Sequence, residues 1–241
     1  MRIIVVDNYE EMSKRAALMI ASQVMLKPDS VLGLATGDTP LGMYRELIKL
    51  YNKKEVDFNE VRTFNLDEYY GIDKGNPQSY YNYMNTNLFN TINIVSENIN
   101  MPDGMAKDVD SSCANYENKI KKLGGIDMQV LGIGGNGHIG FNEPDVNFEA
   151  ETHLVNLDEE TIEANSRFFK SIKDVPVKAI SMGIKTIMSS KKIILLANGL
   201  NKAKAIERAV NGKINPNIPA SILQLHNDVT IIIDKKAASS L

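Results

Sequence analysis

Short apolar runs alternate with helix-length stretches from one end of this chain to the other, and that alternation limits its fold more than any other feature. Runs at 3–6, 31–35, 61–66, 128–133, 193–197 and 229–233 are short, and most are rich in Val and Ile. That is the pattern of strands buried on both faces. Between them, 10–26, 41–51, 80–89, 113–123, 159–169 and 201–210 read as helices. Parallel strands need crossover connections, so the expected architecture is α/β: a three-layer, open, mainly parallel sheet with helices on both faces. No repeat or long linker divides the 241 residues, and residues 1–241 read as a single α/β domain with a core that needs no disulfide or metal. The least regular stretch, 142–155, is expected to loop over one end of the sheet. With the helix after it, 145–177 forms a candidate lid.

The formal charge is −3, with acids and bases interspersed. Nothing in that balance points to a nucleic-acid or membrane partner. A net negative protein that binds an anion must build a local positive site. Cys113 is the single cysteine, so no internal disulfide forms, which points to a reducing compartment and a structural thiol. The run 3–6 is too short for a signal-peptide core or a membrane span. The expected location is therefore the cytoplasm.

Three places carry chemistry. Residues 31–36 run into Gly37-Asp38-Thr39-Pro40 and then a helical pattern. Glycine permits close backbone approach, Thr39 suits an N-cap and Pro40 the first helical position. Such a turn aims free N–H groups and a positive helix end outward, as an anion site does. It lacks the G-K-[ST] ending of a nucleotide P-loop. An ordinary capped turn has the same pattern. Next, Asp67 is the first acid after the third strand run. The carboxyl ends of strands face ligands in open α/β sheets, and a carboxylate there can act as general base, or can be one of two acids in a solvated loop. Last, Gly132-Ile-Gly-Gly-Asn-Gly137 spells G-x-G-x-x-G, but Gly140 and Pro144 spoil the helix that a dinucleotide fingerprint needs at its third glycine. What remains is a glycine-rich turn presenting Asn136, His138 and Glu143, where the histidine is either a proton shuttle or a ligand of loop backbone. His153 and His226 stand singly, so their structural or solvated reading prevails, and no Cys/His cluster supports a metal site.

Taken together, Gly33-Leu-Ala-Thr-Gly-Asp-Thr-Pro-Leu-Gly42, Phe64-Asn-Leu-Asp-Glu-Tyr-Tyr-Gly71, Ser79-Tyr-Tyr81, the string from Gly132 to Pro144, Asn165-Ser-Arg-Phe-Phe169 and Pro219-Ala-Ser-Ile-Leu-Gln-Leu-His226 resemble the glucosamine-6-phosphate deaminase family. They fall in family order across nearly the whole chain. The resemblance implies a sheet of the ribose-5-phosphate isomerase type and conversion of glucosamine 6-phosphate and water to fructose 6-phosphate and ammonia, without a cofactor or metal.

It also implies roles. Asp67 would move the proton from C2 to C1 of the opened sugar, His138 would assist ring opening, and Glu143 would hold His138. Asn136 stands where some members carry an aspartate, which leaves more of the work to His138 and Glu143. Thr36, Gly37, Asp38 and Thr39, with Arg167 and Lys202, would hold the phosphate, although Asp38 replaces the Ser or Gly often found there. Residues 146–155 hold two acids and no Lys or Arg, so activation by N-acetylglucosamine 6-phosphate is not expected, and a monomer is favoured. Rival readings are a phosphogluconolactonase, which the Phe-Asn-Glu-Pro ending opposes, a deaminase for the galactosamine epimer, and a sugar-phosphate sensor, which would need a helix-turn-helix ahead of the first strand.

Overall fold

The computed structural model describes residues 1–241. Its main sheet has seven strands, all parallel: β1 (Arg2–Val6), β2 (Val31–Leu34), β3 (Arg62–Asn65), β5 (Ile99–Asn100), β6 (Met128–Leu131), β9 (Ile193–Ala197) and β10 (Val229–Asp234), in the order β1-β10-β9-β6-β2-β3-β5. All six expected strands are present. A second sheet, which the sequence did not signal, is antiparallel: β4 (Asp67–Tyr69), β8 (Lys178–Ser181) and β7 (His153–Asn156), ordered β4-β8-β7.

The apolar strands divide their side chains between two helical layers. Ile193, Leu195 and Ala197 of β9 join one core cluster, whereas Ile194 and Leu196 join the other. In a strand successive side chains face opposite ways, so an unbroken apolar run is what a sheet covered on both faces requires. One layer holds α1 (Tyr9–Leu26), α2 (Asp38–Asn52) and α3 (Tyr80–Asn87), through Met12, Ile20, Tyr44, Leu47 and Met84. The other holds α4 (Val109–Lys122), α6 (Ile184–Met188) and α7 (Ala203–Asn211), through Tyr116, Ile120, Ile187 and Ile206. A remaining short helix, α5 (Glu159–Ser166), lies between β7 and β8 in the chain.

Several boundaries differ from expectation for identifiable reasons. Helix α4 begins at Val109 because the Asp108 side chain accepts from Ser111 N and caps it. Residues 153–155, expected to be loop, begin β7, which pairs with β8 along its whole length. Helix α2 starts at Asp38, with Gly37 as its cap at φ 95° and no side-chain cap bond. Thr39 and Pro40 therefore sit inside the first turn, not at the N-cap and first position. Proline is tolerated there because first-turn N–H groups have no helical partner.

The strand order also fixes where a ligand can sit. From β2 the chain builds outward through β3 and β5, then returns to place β6 on the opposite side of β2 and continues through β9 to β10, which pairs beside β1, the first strand of the chain. That reversal is a topological switch point, and its crevice opens at the carboxyl ends of β2 and β6. The turns that follow β3, β2, β6 and β9, four adjacent strands, all emerge along that edge.

Candidate active site

At this edge lies a cleft of about 300 Å³, a size suited to a small metabolite. Thr36, Gly37, Asp38, Thr39, Asp67, Asn136, His138, Arg167 and Lys202 all line it. Of the ten expected site residues only Glu143 is outside the lining, because it stands behind His138.

Asp67 opens β4 directly after β3, and its backbone pairs with Ser181 of β8. It is only 7 % exposed and has no charged donor beside it. Burial pushes its carboxyl up to about 8, and neighbouring Glu68 adds to the rise. A carboxyl group that favours its neutral form in an apolar surrounding is a strong base once ionised. Glu68 points elsewhere. Its Oε1 accepts from Tyr69 N at 2.9 Å and Tyr80 N at 2.8 Å, and its Oε2 from Tyr81 N at 2.8 Å. It thereby closes the amino end of α3. The two adjacent acids have separate tasks because alternate strand positions face opposite ways.

The glycine-rich turn forms the second group. No helix opens at Gly137; instead Gly134 N donates to His138 O and Gly137 N to Gly134 O, with Gly137 at φ 95°. The dinucleotide geometry is therefore absent. His138 Nδ1 lies 2.9 Å from Glu143 Oε2, Asn136 Nδ2 donates to the same oxygen at 2.9 Å, and Thr161 Oγ1 donates to Oε1 at 2.6 Å. Asn136 Oδ1 also accepts from His138 N at 3.1 Å. Burial raises the Glu143 carboxyl, but the bonds from His138, Thr161 and Asn136 outweigh it and hold the group below its ordinary value. An ionised acceptor on Nδ1 fixes that nitrogen as the donor and leaves Nε2 to exchange a proton. The ring rests over Gly134, where an added Cβ would come within 2.4 Å of its Cε1.

The third group is cationic. Lys202 ends the turn Leu200–Lys202 that leads into α7, and burial, with Arg167 nearby, lowers its ammonium pKa. Gly199 N donates to both carboxylate oxygens of buried Asp234, at 3.0 and 3.1 Å, which anchors this turn. The first turn of α2 supplies N–H groups without helical partners. Tyrosine hydroxyls secure its backbone: Tyr83 donates to Gly37 O at 2.6 Å and Tyr9 to Asp38 O at 2.7 Å. Arg167 caps α5, and its Nη2 lies 2.8 Å from Asp38 Oδ2.

Residues 7–232 match the family model described as glucosamine-6-phosphate isomerases/6-phosphogluconolactonase. The chain belongs to the glucosamine-6-phosphate isomerase/6-phosphogluconolactonase family. Within that family it is 70 % identical over 241 residues to a glucosamine-6-phosphate deaminase of Clostridium botulinum (strain Kyoto / Type A2), covering 100 % of this chain and 99 % of the relative. It is 67 % identical to the glucosamine-6-phosphate deaminase of Clostridium acetobutylicum, over the full length of both. A solved structure described as a monomeric glucosamine-6-phosphate deaminase superposes with a TM-score of 0.98 at 47 % identity, covering 100 % of each chain. A 6-phosphogluconolactonase from Trypanosoma cruzi shares the fold, with a TM-score of 0.78 at 20 % identity, covering 100 % of this chain and 96 % of that one.

For this family member, sequence reasoning left several cleft residues without a role. Tyr69, Tyr80, Phe141 and Phe169 form an aromatic wall, with Tyr80 stacked on Phe141 at 6.1 Å and Phe169 edge-on to Tyr69 at 5.8 Å. Thr161 reaches Glu143 across 18 positions, and no local pattern announces that contact. His226 is structural: its Nε2 donates to Ser190 O at 2.7 Å and its Nδ1 accepts from Asp228 N.

Proposed function

We propose that this cleft converts glucosamine 6-phosphate and water to fructose 6-phosphate and ammonia. The observation that carries the reading is Asp67: a buried carboxyl raised to about 8, in one cleft with a His138–Glu143 pair at 2.9 Å and with Arg167 and Lys202. Isomerising an aldose amine demands a base for the C2 proton, a group that exchanges a proton with the ring oxygen, and a grip on the remote phosphate. His138 Nε2 opens the ring. Asp67 takes the proton from C2 and returns it to C1. C2 is then an iminium carbon; water adds to it, and the resulting carbinolamine expels ammonia to leave the C2 ketone. Lys202, Arg167 and the first turn of α2 hold the phosphate, and that binding energy positions the sugar carbons against Asp67. The 67–70 % identical deaminases support the substrate.

In the same reading, residues 145–177 act as a lid. Thr161, Arg167 and Phe169 all come from this segment and reach Glu143, Asp38 and Tyr69. The protein works as a monomer on a small soluble substrate in the cytoplasm, and residues 1–241 form one domain. The solved relative described as monomeric supports the first point. No helix is long and apolar enough to cross a membrane.

The test is to incubate the purified protein with glucosamine 6-phosphate and quantify ammonia and fructose 6-phosphate. Equal amounts of both are expected. Failure to release ammonia from glucosamine 6-phosphate would refute the reading.

A further inference from the structure

We propose that the Asp38 carboxylate is an internal competitor for the substrate phosphate: it pairs with Arg167 and surrenders it when a phosphate monoester enters, so the charge at position 38 lowers the affinity. This deepens the reading above and depends on the cleft taking a sugar phosphate.

Arg167 Nη2 and Asp38 Oδ2 are 2.8 Å apart, and both residues line the cleft beside Lys202. Asp38 is the first residue of α2. Its carboxylate is therefore an anion at the helix end whose dipole and free N–H groups attract one. A guanidinium edge matches a carboxylate and a phosphate equally well, and one edge cannot serve both. The pair is also easily broken: the two side chains are 64 % and 62 % exposed, and solvent-exposed ion pairs contribute little. A dianion that also engages Lys202 and the α2 amides outcompetes it. Residue 38 can compete through its charge alone, because its backbone is held independently by the Tyr9 and Tyr83 hydroxyls.

Asp38→Asn keeps the shape and removes the charge, and Asp38→Ser provides a second variant of smaller volume. Inorganic phosphate binding is measured by calorimetry, and KM for glucosamine 6-phosphate by ammonia release. Both constants are expected to fall about threefold, the size of one solvent-exposed ion pair that the phosphate no longer has to break. In an Arg167→Ala background the same substitution is expected to leave phosphate binding unchanged within about 1.5-fold, since the competition runs through Arg167. Constants equal to or higher than those of the unsubstituted protein would overturn the proposal. So would a threefold gain that persists without Arg167. Calorimetry needs no turnover, so absence of deamination would refute the assigned reaction while the phosphate titration still decides the role of Asp38.

Discussion

Replacing Asp67 by asparagine should disable the protein and, with rising pH, make it relatively more stable. A carboxyl raised to about 8 in the folded chain, against about 3.9 unfolded, penalises folding wherever the unfolded group is ionised and the folded one is not. The penalty is absent below about pH 4, grows by about 1.4 kcal/mol per pH unit, and levels off above about pH 8. Between pH 5 and pH 7 it grows by about 2.5 kcal/mol. Asparagine does not titrate, so the stability difference between variant and unsubstituted protein should shift by that amount in the variant's favour. Any fixed cost of burying the amide cancels in the comparison. Urea unfolding of both proteins at pH 5 and pH 7 measures it. At the same time kcat should fall by a factor on the order of 10² to 10⁴, the usual contribution of a general base, with KM changed far less. A stability difference that is the same at both pH values would show that Asp67 ionises normally, and the argument for its basicity would fail. The unsubstituted protein should also gain kcat/KM as pH rises towards 8, because a larger share of Asp67 is then ionised.

Thr161→Val deletes one of the three donors on Glu143 and should lower kcat several-fold while leaving global stability within about 1 kcal/mol, the value of one hydrogen bond; steady-state kinetics and thermal melts check both. Gly134→Ala would drive a methyl group into the His138 ring, so a loss of activity of at least about tenfold is expected from displacement of the imidazole, with far-ultraviolet circular dichroism unchanged. Glu117, buried in α4, accepts from Thr152 N, Thr152 Oγ1 and Thr186 Oγ1 at 2.6–2.8 Å. Glu117→Ala strands those donors and should cost about 2–4 kcal/mol in urea unfolding.

The contrast between the two sheets shows how much was legible. Strand β9 is an unbroken apolar run and β10 carries Val229 and Ile231–Ile233, and both bury all their residues, so their own composition marks them. Strands β4 and β7 are three and four residues long and mix Asp, Glu, His and Asn with apolar positions. What makes them strands is their pairing with β8, a partner distant in sequence. The site divides in the same way. Glycines and a nearby acid flag His138 and Glu143 within a few positions of each other, whereas Thr161 and the aromatic wall become site residues only when the chain returns over the cleft.

By itself, then, the sequence determined the α/β layering and the local chemical groups, because apolar periodicity and turn residues act over a few positions. Only the tertiary structure decided that β2 and β6 lie side by side. That adjacency makes the crevice, while the pairing of β4 with β8 and the return of α5 over the cleft bury Asp67 until its carboxyl favours the neutral form and seat Arg167 on Asp38. Burial and charge pairing depend on neighbours in space, and those neighbours can be far apart in the chain, 129 positions for Arg167 and Asp38, beyond the reach of any local pattern.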